Sequence, residues 1–201
     1  MSFPQKYTAY THFKQAMVTI DEVAWYPLRI TYSQEMKVKE YLDKEHIENF
    51  IPMHYVEKEC QGRKTRQLVP VVHNLLFIHT CRKKLEEFKR HSILSSKIRY
   101  IMDNMRHVPI VVPDKQMMDF ITVAGAPDEQ IMYLTPSEIR LKKGERVRIN
   151  GGIWKGVVGK LVRIKRGLRV VVAIEGITAV ATASLHPSLV DLIESGENVH
   201  E

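Results

Sequence analysis

Ala24-Trp25-Tyr26-Pro27-Leu28-Arg29-Ile30-Thr31 reads as a strand whose side chains alternate between two faces. Tyr26, Leu28 and Ile30 fall on one face, and Trp25, Pro27, Arg29 and Thr31 on the other. A period of two predicts a strand, and Pro27, which lacks a ladder donor, predicts an edge position or a bulge. Ser33 is placed to cap a helix running to about His46. Val38, Tyr41, Leu42 and Glu45 share its inner stripe, with Lys37, Lys39, Glu40 and Lys44 outside. A second strand is expected over about 48–56. The polar stretch 57–67 follows, with Gln61-Gly62-Arg63-Lys64 as a hairpin tip. Residues 68–79 read as one long strand, Leu76 and Ile78 pointing one way and Leu75 and Phe77 the other. Residues 82–92 look helical, 98–102 and 109–113 look like short strands, and Asp114 caps a helix to about Ala124.

Gly125-Ala126-Pro127-Asp128-Glu129 breaks this pattern, and the stretch to Glu138, with two prolines and little period, reads as a linker. From Gly144 on, glycines punctuate the β-branched runs 146–149, 157–164, 169–174, 177–183 and 189–193. Short strands at that spacing predict a small barrel. The expected organisation is an extension over 1–21, an amino-terminal domain over 22–124, a linker over 125–138, a barrel domain over 139–194 and an acidic tail over 195–201.

Composition narrows the class. The chain has 201 residues, 44% of them apolar, enough for a real core and unlike a disordered composition. No run approaches the roughly 18–20 apolar residues of a membrane-spanning helix. Residues 1–17 lack the apolar segment of a secretory signal. Cys60 and Cys81 form neither a disulfide framework nor a CxxC pair, so a reduced, cytoplasmic setting is expected. The net charge of +7 is concentrated: residues 139–193 hold eleven Lys/Arg against three acids, while residues 1–138 are nearly neutral. A basic module of this kind meets nucleic acid or an acidic protein surface, or is simply a well-solvated face.

Nothing points to an enzyme. There is no GxSxG, P-loop or HExxH, and no spacing of metal ligands. His73 and His79 share a strand face but stand too far apart for one metal, and His79 with Cys81 lacks the geometry of a nucleophile pair. No cofactor and no metal are expected.

Two blocks carry a family resemblance. Trp25-Tyr26, the helix after it, Ile51-Pro52-Met53, the tip Gly62-Arg63-Lys64-Thr65 and the run Pro70 to Ile78 resemble the amino-terminal domain of the NusG family. Lys143-Gly144-Glu145-Arg146-Val147-Arg148-Ile149, followed by Gly151 to Gly159, looks like a KOW motif. Together they cover roughly 23–193 in the family's order. Within the family, Glu57-Lys58 with Gly62 to Thr65, and His73-Asn74-Leu75-Leu76-Phe77, look like the RfaH branch. Arg99 to Asp103 and Pro109 to Met117 resemble the UpxY-type antiterminators of capsular polysaccharide operons.

The resemblance implies an α+β fold: a ferredoxin-like amino-terminal domain, an antiparallel sheet with helices, followed by an SH3-like small β-barrel, the KOW domain. It implies a monomeric transcription elongation and antitermination factor, cytoplasmic and associated with transcription complexes on the nucleoid. Such factors bind the clamp helices of the largest subunit of RNA polymerase and disfavour paused states. The KOW domain recruits a second partner, Rho or a small-subunit ribosomal protein. The competing reading is a KOW-containing RNA-binding or ribosome-associated protein.

Site residues follow in three groups. The sheet face opposite Tyr26, Leu28 and Ile30 is either covered or open, and the family pattern favours an open, polymerase-binding patch of Trp25, Arg29, Asn74, Leu75 and Phe77. This chain departs from the family in having Asn74-Leu75 where Gly-Tyr or Asn-Tyr is common, and Arg29 where the RfaH branch carries Tyr. Lys37, Arg63, Lys64 and Arg66 are DNA-proximal by resemblance, toward non-template or upstream DNA, although the same tip residues suit an ordinary charged turn. In the KOW module Ile153, Trp154, Lys155 and Arg166 are partner-binding candidates, with Trp154 alternatively a barrel plug, and Gly156 is the structural glycine.

Overall fold

The computed structural model describes residues 19–60, 62–91, 95–126, 130–140 and 144–193. Most of the expected extension and all of the expected acidic tail lie outside these residues. Along the chain run β1 (Val23–Ile30), α1 (Glu35–Lys44), β2 (Asn49–Phe50), β3 (Met53–Cys60), β4 (Arg63–Pro70), β5 (Leu75–Cys81), α2 (Arg82–His91), β6 (Ile98–Tyr100), β7 (Met102–Asp103), β8 (Val108–Pro109) and α3 (Asp114–Ala124). They are followed by β9 (Met132–Leu134), α4 (Pro136–Arg140), β10 (Arg146–Ile149), β11 (Val158–Ile164), β12 (Gly167–Ile174), β13 (Thr178–Ala181) and β14 (Val190–Leu192). The chain forms two compact units, Met1–Ile51 with Val72–Asp114, and Pro52–Val71 with Lys115–Glu201.

The first unit is built on an antiparallel sheet of order β2-β5-β1-β6. Its register sets Tyr26 opposite Ile78 and Leu28 opposite Leu76, and all four are buried. Helix α2 lies over this face, since Lys89 sits 4.5 Å above the Tyr100 ring and Tyr100 meets Tyr26 edge-on at 6.0 Å. Helix α1 joins it through Tyr41 on Phe88 at 5.1 Å and buries Val38 and Leu42. Glu45, expected on the inner stripe of α1, is exposed. Pro27 lies in a central strand: its neighbours continue the ladder to β5, and the Ile101 N–H bonds its carbonyl at 3.3 Å on the other side.

Several boundaries differ from the sequence expectation. The strand expected over about 48–56 is divided into β2 and β3, and β3 and β4 extend into the polar stretch 57–67. Ser33 does not cap α1; it stands at φ 49, and the preceding Tyr32 is also left-handed at φ 63. The long strand expected over 68–79 is divided into β4 and β5, because Asn74 turns the chain at φ 64.

The second unit holds the β3–β4 hairpin, α3 from Lys115 on, and a six-stranded antiparallel sheet of order β14-β10-β11-β12-β13-β9. Met117, Phe120 and Val123 recur three apart on α3 and are buried. Residues expected to be linker carry β9, which pairs with β13 as Leu134 opposite Ala179, and put Leu134 in the core with Val162, Ile164, Val171 and Ala181. The start of β9 is anchored by Arg169, whose Nη1 donates to the carbonyls of Gln130 and Thr182, both at 2.6 Å. Gly159 lies where β11 crosses β12: a Cβ there would stand 2.6 Å from the Val171 carbonyl oxygen.

Candidate functional site

The cross-strand register brings the expected sheet residues together. Arg29 pairs with Leu75, Pro27 with Phe77 and Trp25 with His79, so these side chains share one face of β1 and β5. The expectation that this face stands open is corrected. Trp25 is 2% exposed, Leu75 3% and Phe77 0%. Trp25 stacks on His79 with ring centroids 4.7 Å apart, and its backbone carbonyl accepts the Val112 N–H at 2.9 Å. The physical reason is that Ala24 to Leu28 and Leu75 to Ile78 are continuous apolar runs, the pattern of strands covered on both faces. Arg29 alone of the five is exposed, and Asn74 is half-buried.

Arg29 faces a second arginine. The β1–β6 register sets it directly opposite Arg99, which is also exposed. Like charges placed opposite each other destabilise a ladder, so this edge holds a concentrated positive charge. Sequence reading missed Arg99, because only the register reveals the pairing.

Asn74 is a structural keystone. Its N–H donates to Glu35 Oε1 at 2.9 Å, its Oδ1 accepts the Ser33 N–H at 3.2 Å, and its carbonyl accepts the Ile30 N–H at 2.8 Å. It thus fixes the left-handed turn between β1 and α1. Asn74→Ala should cost about 1–2 kcal/mol, from the lost acceptor and the strained φ. Asn74→Gly, which tolerates φ 64 but also lacks the acceptor, should cost less. Urea titration of the two variants checks the order.

The three hairpin candidates are all exposed. Arg63, Lys64 and Arg66 lie on β4, exposed from Arg63 to Leu68, and Gly62 makes the tip at φ +74. Arg66 stacks on Tyr55, its guanidinium carbon 4.5 Å from the ring centroid. Lys37 is exposed on α1.

In the second unit, Ile153, Trp154, Lys155 and Gly156 lie on the β10–β11 connection, whereas Arg166 sits in the β11–β12 turn with Lys165, both at positive φ. Ile153 is 67% exposed, and Lys155 and Arg166 are exposed. Trp154 is only 5% exposed, and its indole nitrogen lacks a partner among the described residues. That corrects its place among exposed contact candidates and fits the plug. Gly156 stands at φ +89, where open space surrounds the missing Cβ, so backbone conformation alone demands glycine. Its carbonyl accepts Lys115 Nζ from α3 at 3.1 Å.

Around that contact lies a polar clasp that sequence reading did not find. Asp119 on α3 is buried, bonds Lys115 Nζ at 2.6 Å through Oδ1 and accepts the Val158 N–H at 3.3 Å through Oδ2. Gln116 Nε2 donates to the Ala173 carbonyl at 2.6 Å. Burial pushes the Asp119 carboxyl up, against the opposing pull of Lys115, the Val158 N–H and Arg146. Burial likewise pushes the Tyr133 phenol up to about 12. Its hydroxyl donates to the Met53 and Ala124 carbonyls, each at 3.4 Å.

Among the described residues no group of three or more His, Cys, Asp or Glu could hold a metal. No described helix is long and apolar enough to cross a membrane.

Comparison with known proteins adds a family. No curated protein matches the chain. A solved structure of NusG from Thermotoga maritima, described as a study of domain interaction, is similar over 88% of this chain and 100% of that one, at 23% identity and a TM-score of 0.45. The family model described as "Transcription termination factor nusG" matches residues 23–121, which span the β2-β5-β1-β6 sheet, the hairpin and most of α3. Residues 23–121 are a domain of the NusG family.

Proposed function

We propose that this chain is a transcription elongation and antitermination factor that binds elongating RNA polymerase through its amino-terminal domain. The match of residues 23–121 to the NusG family carries the reading. The polymerase contact is assigned to the clamp helices of the largest subunit. Arg29 and Asn74 are the accessible members of the contact set, and Trp25, Leu75 and Phe77 are the buried residues that hold the sheet presenting them. Lys37 and the hairpin that carries Arg63, Lys64 and Arg66 lie toward non-template or upstream DNA. The KOW region recruits a second protein, Rho or a small-subunit ribosomal protein, through Ile153, Lys155 and Arg166. The factor acts as a cytoplasmic monomer on selected operons, such as capsular polysaccharide loci, in the manner of UpxY-type factors. It favours the active clamp only by as much as it binds that state more tightly than the paused one.

Co-purification of the tagged chain with RNA polymerase, followed by elongation on a long template with and without a terminator, tests this. Binding with increased read-through is the expected result. Arg29→Glu should weaken binding at least about tenfold, the scale of one interface hot spot, without lowering the unfolding midpoint, because it replaces the repulsion between Arg29 and Arg99 with an attraction. Ribosomes or RNA co-purifying in place of polymerase would overturn the reading and favour a ribosome-associated protein.

A further inference from the structure

The β3–β4 hairpin has two chemically different faces. Its register pairs Cys60 with Arg63, Lys58 with Thr65, Val56 with Gln67 and His54 with Val69. The intervening pairs are Glu59 with Lys64, Glu57 with Arg66, Tyr55 with Leu68 and Met53 with Pro70. Directly opposed residues share a face, and successive pairs alternate between faces.

On the second face each cation stands opposite an acid in the register, so the formal charges of Glu57, Glu59, Lys64 and Arg66 sum to zero. That face also carries the large exposed side chains, Tyr55 at 58% and Leu68 at 46%, with Arg66 lying on Tyr55. The first face holds Lys58 and Arg63 and no carboxylate. Lys58, Arg63, Thr65, Gln67 and His54 are all exposed, and the apolar Val56 and Val69 are half-buried. Lys58 and Arg63 are diagonal neighbours, near enough to meet successive phosphates of one strand.

Protein interfaces draw their energy from aromatic and aliphatic anchors, which the exposed residues of this face do not supply. Phosphate backbones are held by Lys, Arg, Thr, Gln and His donors, which make up its exposed set. We propose that the Lys58–Arg63 face lies along a nucleic-acid phosphate backbone and that Lys64 and Arg66 contribute nothing to that contact. The proposal deepens the function proposed above, in which the hairpin is near the DNA of a transcription complex.

The test measures binding of the full chain to a fluorescent DNA duplex across salt concentrations, with far-ultraviolet circular dichroism as the control for folding. Three variants are compared. The first is Lys58→Gln with Arg63→Gln. The second is Glu57→Gln, Glu59→Gln, Lys64→Gln and Arg66→Gln together, which leaves net charge unchanged. The third is Lys83→Gln with Lys84→Gln on α2, which removes the same charge as the first elsewhere on the surface. Losing two phosphate contacts should flatten the plot of log affinity against log salt by about 2, or about tenfold in the affinity lost between about 50 and about 200 mM salt. Only the first variant should show this. Equal flattening in the first and third variants, flattening in the second, or no salt-dependent binding by the parent chain would each overturn the proposal. Polymerase binding is measured separately on the same variants. A parent chain that fails to bind polymerase but shows the duplex pattern would therefore overturn the proposed function and leave the assigned face standing.

Discussion

Phe77→Ala should destabilise the first unit by about 3–5 kcal/mol, the scale of emptying an aromatic side chain from a core. Phe77 is fully buried, opposite Pro27 on β1 and opposite Phe50 on β2. Removing the ring leaves a cavity that two flanking strands cannot close without breaking their ladders, so the loss exceeds the transfer term alone. Leu75→Ala should follow at about 2–5 kcal/mol. Urea titration with amide exchange read on β1 and β5 checks both. Unchanged midpoints would mean that the face is open in solution. Loss of polymerase binding by the Phe77 variant therefore reports unfolding, and Arg29→Glu is the clean probe of contact.

Asp119→Ala should weaken the packing of α3 in the second unit by about 1–3 kcal/mol, because the Val158 N–H loses its acceptor at a part-buried site. Lys115, more than half exposed, returns to water at little cost. Asp119→Asn keeps an acceptor and should be far milder. The two also separate in pH. Burial raises the folded-state pKa of Asp119 above its unfolded value, so the folded chain holds the proton more tightly. The stabilising contribution is complete below the unfolded pKa, falls as pH rises through the folded pKa, and is flat above it. Stability of the parent relative to Asp119→Asn should accordingly decline with rising pH across that window. A difference that grew with pH would show that the Lys115 ion pair, and not burial, governs the carboxyl.

Helix α3 was legible in the sequence, because Asp114 marks its start, Gly125 follows its end, and Met117, Phe120 and Val123 keep one period between. Strand β1 was legible as a run rich in apolar and aromatic residues, and the hairpin tip as Gly62. Burial of the Trp25, Leu75 and Phe77 face was readable in principle: the runs are apolar at every position, and reading them as half-buried alternation was the error. The break at Asn74 was hidden by the β-forming residues around it, since one left-handed residue has no periodic signature. Strand β9 has three residues, too few for any period. Asp119 and Arg99 acquire their settings from long-range packing and register, which no local pattern encodes.

The pairing of β9 with β13 bears on how the β-rich region can be cut out for study. A fragment begun at residue 139, the boundary that composition suggests, would strip β13 of β9 on one side, expose the N–H and C=O groups that β9 pairs, and take Leu134 from the core. It would also deprive the buried Arg169 guanidinium of the Gln130 carbonyl. Such a bare edge is a template for another chain. The fragment should therefore self-associate in solution, whereas one that begins at or before Gln130 carries its own edge strand and should remain dispersed.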